Sequence, residues 1–154
     1  MKQNSKGVAF VTIQLLLIIA YFLVPNPITI SIFNPIAIAS GIAAIFGITL
    51  TTLATIQLNT RLSPLPQPKA NAVLIHTGTY KYIRHPIYSG LFLFAFGWAL
   101  HDGNLMRLSI ACTLLVLFNL KARYEEQLLE VVFDDYPAYK AKTGRLFPKF
   151  FKRR

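Results

Sequence analysis

The sequence predicts an all-α, integral membrane helical bundle of about four transmembrane helices with a C-terminal cytoplasmic helical extension. Three observations carry that prediction. Of 154 residues, 54% are hydrophobic and 14% charged, a balance that suits a chain surrounded largely by hydrocarbon. The apolar residues gather into four runs, at about 8–24, 36–58, 87–100 and 105–120. If both termini are cytoplasmic, all of the 16 Lys and Arg except Arg107 fall on the cytoplasmic side, as the positive-inside rule asks of short loops.

At about 1.5 Å per residue the first two runs reach roughly 25 to 35 Å, enough for a hydrocarbon core of about 30 Å. The first is longer than a signal-peptide core, and "VPNPITI" offers no small-residue cleavage site, so it is expected to remain as a span. Pro25, Pro27 and Pro35 end it and punctuate an uncharged external loop. In the second run Ala39, Ala43 and Gly47 recur every four residues, a small-residue stripe that lets another helix approach.

The segment 59–86 is a polar, irregular cytoplasmic loop. Pro64, Pro66 and Pro68 make "SPLPQP" extended, while the aromatic and apolar residues of "AVLIHTGTYKYI" argue for order. Runs three and four are short for spans. His101, Asp102, Gly103 and Asn104 between them form a turn cluster that makes the pair an antiparallel hairpin, tilted or partly interfacial. The tail 121–154 opens as helix through "KARYEEQLLEVVFDD" and is predicted to stop near Pro137. Residues 1–154 thus form a single membrane-embedded domain.

The net charge of +10 is accounted for by topology, which leaves no soluble basic face for nucleic acid. The tail "KFFKRR" reads as basic and aromatic residues lying on an anionic leaflet. Cys112 stands alone within a span, so neither a disulfide framework nor a thiolate metal site is expected, and no metal ligand set is read.

On a helical wheel Leu128, Leu129 and Val132 lie within about 60° of Glu125, which places Glu125 at the centre of the apolar stripe and Glu126 at its edge. A carboxylate on an apolar face needs a positive partner. Arg84, at the cytoplasmic end of the neighbouring antiparallel span, is one candidate, and a cationic ligand is the other. Pro86 suits a first helical turn and holds Arg84 and His85 just outside it, beside backbone donors that favour an anion. Tyr88 and Ser89 follow in the first turn, and Gly90 leaves room for a ligand or a helix. Singly, each residue fits an interfacial anchor. Ionisable groups converging on facing helix ends at a membrane edge define a candidate site.

The stretches "GTYKYIRHPIYSGLFLFAFGWAL" and "RYEEQLLEVVFDDYPAYKAKTGRLFP" together resemble the isoprenylcysteine carboxyl methyltransferase and phospholipid methyltransferase superfamily of integral membrane enzymes. The residues that carry the resemblance are Gly78, Tyr80, Arg84, His85, Pro86, Tyr88, Gly90, Glu125, Glu126, Tyr136, Tyr139, Arg145 and Pro148, over roughly 62–148. The resemblance implies S-adenosylmethionine as cofactor and a lipid-like acceptor with a carboxylate or amine head at the cytoplasmic face. It implies cofactor binding by Tyr80, Tyr82, His85, Tyr88, Gly90, Glu125 and Glu126, with one glutamate accepting from the cofactor ammonium. Arg84 and Arg145 would suit an anionic acceptor or phosphate head group, and His85 a proton acceptor. Two rivals stand beside this reading: a nicotinamide-dependent membrane reductase related to sterol reductases, for which no nucleotide-binding glycine fingerprint is present, and a non-enzymatic membrane scaffold.

Overall fold

A computed structural model describes residues 5–26, 28–58 and 74–149. Its helices are α1 (Ser5–Leu23), α2 (Asn34–Leu58), α3 (Pro86–His101), α4 (Leu105–Val132) and α5 (Tyr136–Lys142), with a 3-10 turn at Gly78–Lys81 before α3. No strand occurs among the described residues. Helices α1, α2 and α4 are each long and apolar enough to cross a membrane, and α3 is shorter. The Pro64–Pro68 stretch and the residues from Phe150 onward lie outside the described residues.

The helices pack in the order α2, α3, α4, α1, each against the next. Between α2 and α3 the contact is backbone on backbone. A Cβ added to Gly47 would stand 2.6 Å from the Gly90 carbonyl oxygen, and one added to Gly97 2.6 Å from that of Ser40. The buried stripe of α2 is Ser40, Ala44, Gly47 and Ala54, which corrects the stripe of Ala39, Ala43 and Gly47 expected from the sequence. Only Gly47 is shared, because α2 is apolar on most of its circumference and no charged residue marks its outer face.

Between α3 and α4 the contact is made by larger side chains. Phe92, Ala95, Ala99, Ala111, Leu114, Leu117 and Phe118 form the core with Tyr21 of α1 and Leu146. The Tyr21 hydroxyl donates to the Ala95 carbonyl at 2.7 Å, which ties α1 to the hairpin.

The hairpin itself is as expected. Gly103 turns the chain at φ +64°, and the Asn104 side chain accepts from the Arg107 amide at 3.0 Å, capping α4. The loop after α1 closes over this turn, where the Ile30 amide donates to the Gly103 carbonyl at 2.9 Å.

At the other end α4 runs on past its apolar portion and stops at Val132, with Phe133 extended, so the predicted stop near Pro137 is corrected. Asp134 and Asp135 follow, acidic residues disfavoured at a helix C-terminus. Pro137 lies in the first turn of α5, where a proline starts a helix as readily as it ends one.

The chain after α5 then folds back as a strap. Ile83 and Gly144 form an isolated parallel bridge. The Arg84 amide donates to the Gly144 carbonyl at 2.9 Å and the His85 amide to that of Arg145 at 3.1 Å. The Ser89 hydroxyl donates to the Leu146 carbonyl. The amides of Arg84 and His85, just ahead of α3, are thereby taken by this strap.

Candidate functional site

Three segments meet where α3 begins: the turn before it, the second half of α4, and the strap. Glu126 is at their centre. Its side chain is 1% exposed and receives Arg84 Nε on Oε1 at 2.9 Å. Arg145 grips it with two parallel bonds, Nε to Oε1 at 3.0 Å and Nη2 to Oε2 at 2.9 Å, the fork geometry for which arginine is suited. Lys140 Nζ lies 3.6 Å from Oε2. Arg84 Nη1 donates to the carbonyls of Lys140 and Thr143, and Arg145 Nη1 donates to Asn119 Oδ1 at 3.0 Å. Two cations from distant parts of the chain thus close on one carboxylate.

Glu125 is differently placed. Its side chain is 15% exposed, and its carboxylate lies 3.3 Å from His85 Nδ1 and accepts from the Tyr88 hydroxyl at 2.7 Å. The sequence expectation that Glu125 is the more buried member and faces Arg84 is therefore corrected: Glu126 holds both positions. Leu128, Leu129 and Val132, which centred the wheel on Glu125, do not form a buried face, and Val132 is exposed. Next to lipid, an apolar face need not be a face turned into the protein.

The aromatic side of the site is a stack. The Tyr88 ring lies parallel to that of His85, with centroids 5.6 Å apart, and to that of Phe118 at 5.0 Å. His85 is buried, and its Nε2 has no hydrogen-bond partner among the described residues; the nearest carboxylate oxygen, Glu126 Oε1, is 3.6 Å away. Burial opposes charge on this imidazole, but the neighbouring carboxylates of Glu125 and Glu126 outweigh it and raise its pKa.

Tyr80 is buried, and its carbonyl accepts from the Tyr139 hydroxyl at 2.6 Å. Burial pushes the Tyr139 phenol up to about 12 against the pull of Arg84, which keeps it a donor at neutral pH. Tyr82 does not join the cluster: it is 60% exposed, with Lys81 over its ring. Of the two uses the sequence allowed for Gly90, a ligand or a helix, the structure shows the helix: the space beside it is filled by Gly47 and Thr51 of α2.

Several residues at the site were not singled out from the sequence. Thr143 accepts from Arg84, and Asn119 accepts from Arg145. Phe118 closes the ring stack. Lys121 is buried one helical turn before Glu125. Its spacing of four residues from that glutamate was the available signal.

Beyond Arg145, on the outer side of α4, lies a groove of about 500 Å³, within the range of about 300–1,000 Å³ usual for ligand pockets. Its walls are Leu115, Val116, Leu120, Leu146 and Phe147, and its polar end is Asn119 and Arg145.

Against known families, the model for phospholipid methyltransferases ("PEMT: Phospholipid methyltransferase") matches residues 35–136. The match takes in α2, α3, α4 and both glutamates, and it stops before the strap. A comparison with curated proteins gives no match.

Proposed function

Since the chain belongs to the phospholipid methyltransferase family, we propose that it transfers a methyl group from S-adenosylmethionine to a lipid-like acceptor, with a carboxylate or amine head, at the cytoplasmic face of its membrane. The observation that carries this reading is the contrast between the two adjacent carboxylates. Glu126 is engaged by two arginines, whereas Glu125 accepts from one hydroxyl beside an imidazole and has lone pairs to spare.

The donor set fits a ligand with positive groups at one end. Glu125 would take the ammonium of S-adenosylmethionine, and the unpartnered Nε2 of buried His85 would help hold the rest of the cofactor. When bound, that cofactor supplies a methyl group on a sulfonium, an electrophile needing no further activation. The chain's own contribution is alignment and exclusion of water. Tyr88, between His85 and Phe118, fixes the carboxylate of Glu125, and the strap covers the start of α3. Glu126, Arg84 and Arg145 hold α3, α4 and the strap together.

The groove ending at Arg145 supports a lipid-like acceptor, since it offers apolar walls for a chain and a cation at its head. The gathering of Lys81, Arg84, Lys121, Arg123, Lys140, Lys142, Arg145 and Lys149 at the site end, against Arg107 at the hairpin end, supports a cytoplasmic placement of the site. Lys142 and Lys149 would face the anionic leaflet.

Calorimetric titration of the purified protein in detergent with S-adenosylmethionine and with NADPH tests the reading, joined to transfer of a labelled methyl group into a membrane lipid extract. Binding of S-adenosylmethionine alone and label in a lipid fraction are expected. Binding of NADPH alone, or of neither, contradicts it.

A further inference from the structure

Lys121 is a buried cation outside the ion cluster on Glu126. Its residue is 2% exposed, so its side chain does not run out to the interface as membrane lysines commonly do. The ammonium donates to Gln14 Oε1 of α1 at 2.9 Å and lies 5.1 Å from the centroid of the Tyr88 ring, within the reach of a cation–π contact. Tyr88 in turn donates to Glu125 at 2.7 Å. A chain of contacts therefore runs from α1 through Lys121 and Tyr88 to Glu125, the carboxylate assigned to the ligand.

The placement of α1 gives this chain its meaning. That helix lies at the edge of the bundle against α4. Near the site it touches α4 through Gln14 and through Phe10, whose ring is 5.9 Å from that of Tyr124. Gln14 is an amide within a largely apolar span, and its side-chain oxygen meets the one buried lysine among the described residues. Burying a lysine is costly without a compensating role.

Resting on the reading of Glu125 as the ligand-facing carboxylate, we propose that Lys121, held by Gln14, is a positioning residue that fixes Tyr88 and through it Glu125, which makes α1 a working part of the methyl-donor pocket. It touches neither cofactor nor acceptor in this role.

The test is calorimetric titration of S-adenosylmethionine into wild type, Lys121→Met and Gln14→Leu in the same detergent, with the melting temperature of each recorded. Lys121→Met is expected to bind about tenfold more weakly, a loss of the size found for coupled neighbours, with its melting temperature kept. Gln14→Leu should lose affinity in the same direction by a few-fold. That variant leaves α4 untouched and decides the matter if Lys121→Met fails to fold. Wild-type affinity in both variants overturns this inference alone. A loss of affinity matched by a fall in melting temperature overturns it too, since it marks a structural role. Failure of the wild type itself to bind overturns both this inference and the proposed function.

Discussion

The two ends of the bundle each carry an arginine–carboxylate pair, and they are built for different ends. At the hairpin, Arg107 Nη1 donates to Asp102 at 2.6 Å across five residues of sequence, with side chains 22% and 39% exposed. At the site, Arg84 and Arg145 reach Glu126 from 42 and 19 residues away, and the carboxylate is sealed. The first pair trims a turn that Gly103 and Asn104 already define. The second decides which segments of the chain meet, and it leaves the neighbouring Glu125 to Tyr88 and His85. One arginine pairing decorates a local structure; the other constructs a long-range one.

That comparison is most easily broken at Glu126. Replacing it with Leu strands two arginines and is expected to cost about 3–5 kcal/mol, the usual penalty for removing one member of a buried ionic cluster. Thermal unfolding in detergent checks this, and a loss below about 1 kcal/mol would put the site pair on a par with the hairpin pair.

The next effect is on pH. The pKa of His85 is raised in the folded protein by Glu125 and Glu126. A group whose folded value lies above its unfolded value stabilises while it is protonated. Its contribution is complete below about pH 6.5 and is lost as pH rises through the raised folded value. The melting temperature should accordingly fall across that interval, and the fall should be absent in His85→Gln. A wild-type stability that rises with pH through the same interval would contradict the assignment.

The smallest effect belongs to the hairpin. Arg107→Gln should change stability by under about 1 kcal/mol, as for other exposed pairs, with no change in methyl-donor affinity. A larger loss in the same unfolding assay would show that the outer pair also has an architectural role.

Much of this architecture was legible in the sequence because it depends on hydropathy and turn chemistry. The four apolar runs correspond to α1, α2, α3 and the apolar part of α4, and the turn cluster at 101–104 gave the hairpin. The meeting of the α4 glutamates with the Arg84–His85 start of α3 was also readable, because short connections leave few arrangements. What escaped depended on which apolar surface faces protein and which faces lipid. The wheel centred on Glu125 counted Val132 as inward, although it is exposed, and the small-residue stripe of α2 slipped because its outward face is equally apolar. The strap escaped for another reason. The bonds from Arg84 to Thr143 and from Ser89 to Leu146 span nearly sixty residues, 59 and 57 in the chain, a separation no periodicity encodes.

The central claim is a division of labour between neighbouring glutamates, Glu126 for architecture and Glu125 for the ligand. Titration of S-adenosylmethionine into Glu125→Gln tests it most directly. The account predicts a melting temperature close to wild type and an affinity at least about tenfold weaker, as for loss of a charge-assisted contact. Undiminished affinity in that variant would contradict it.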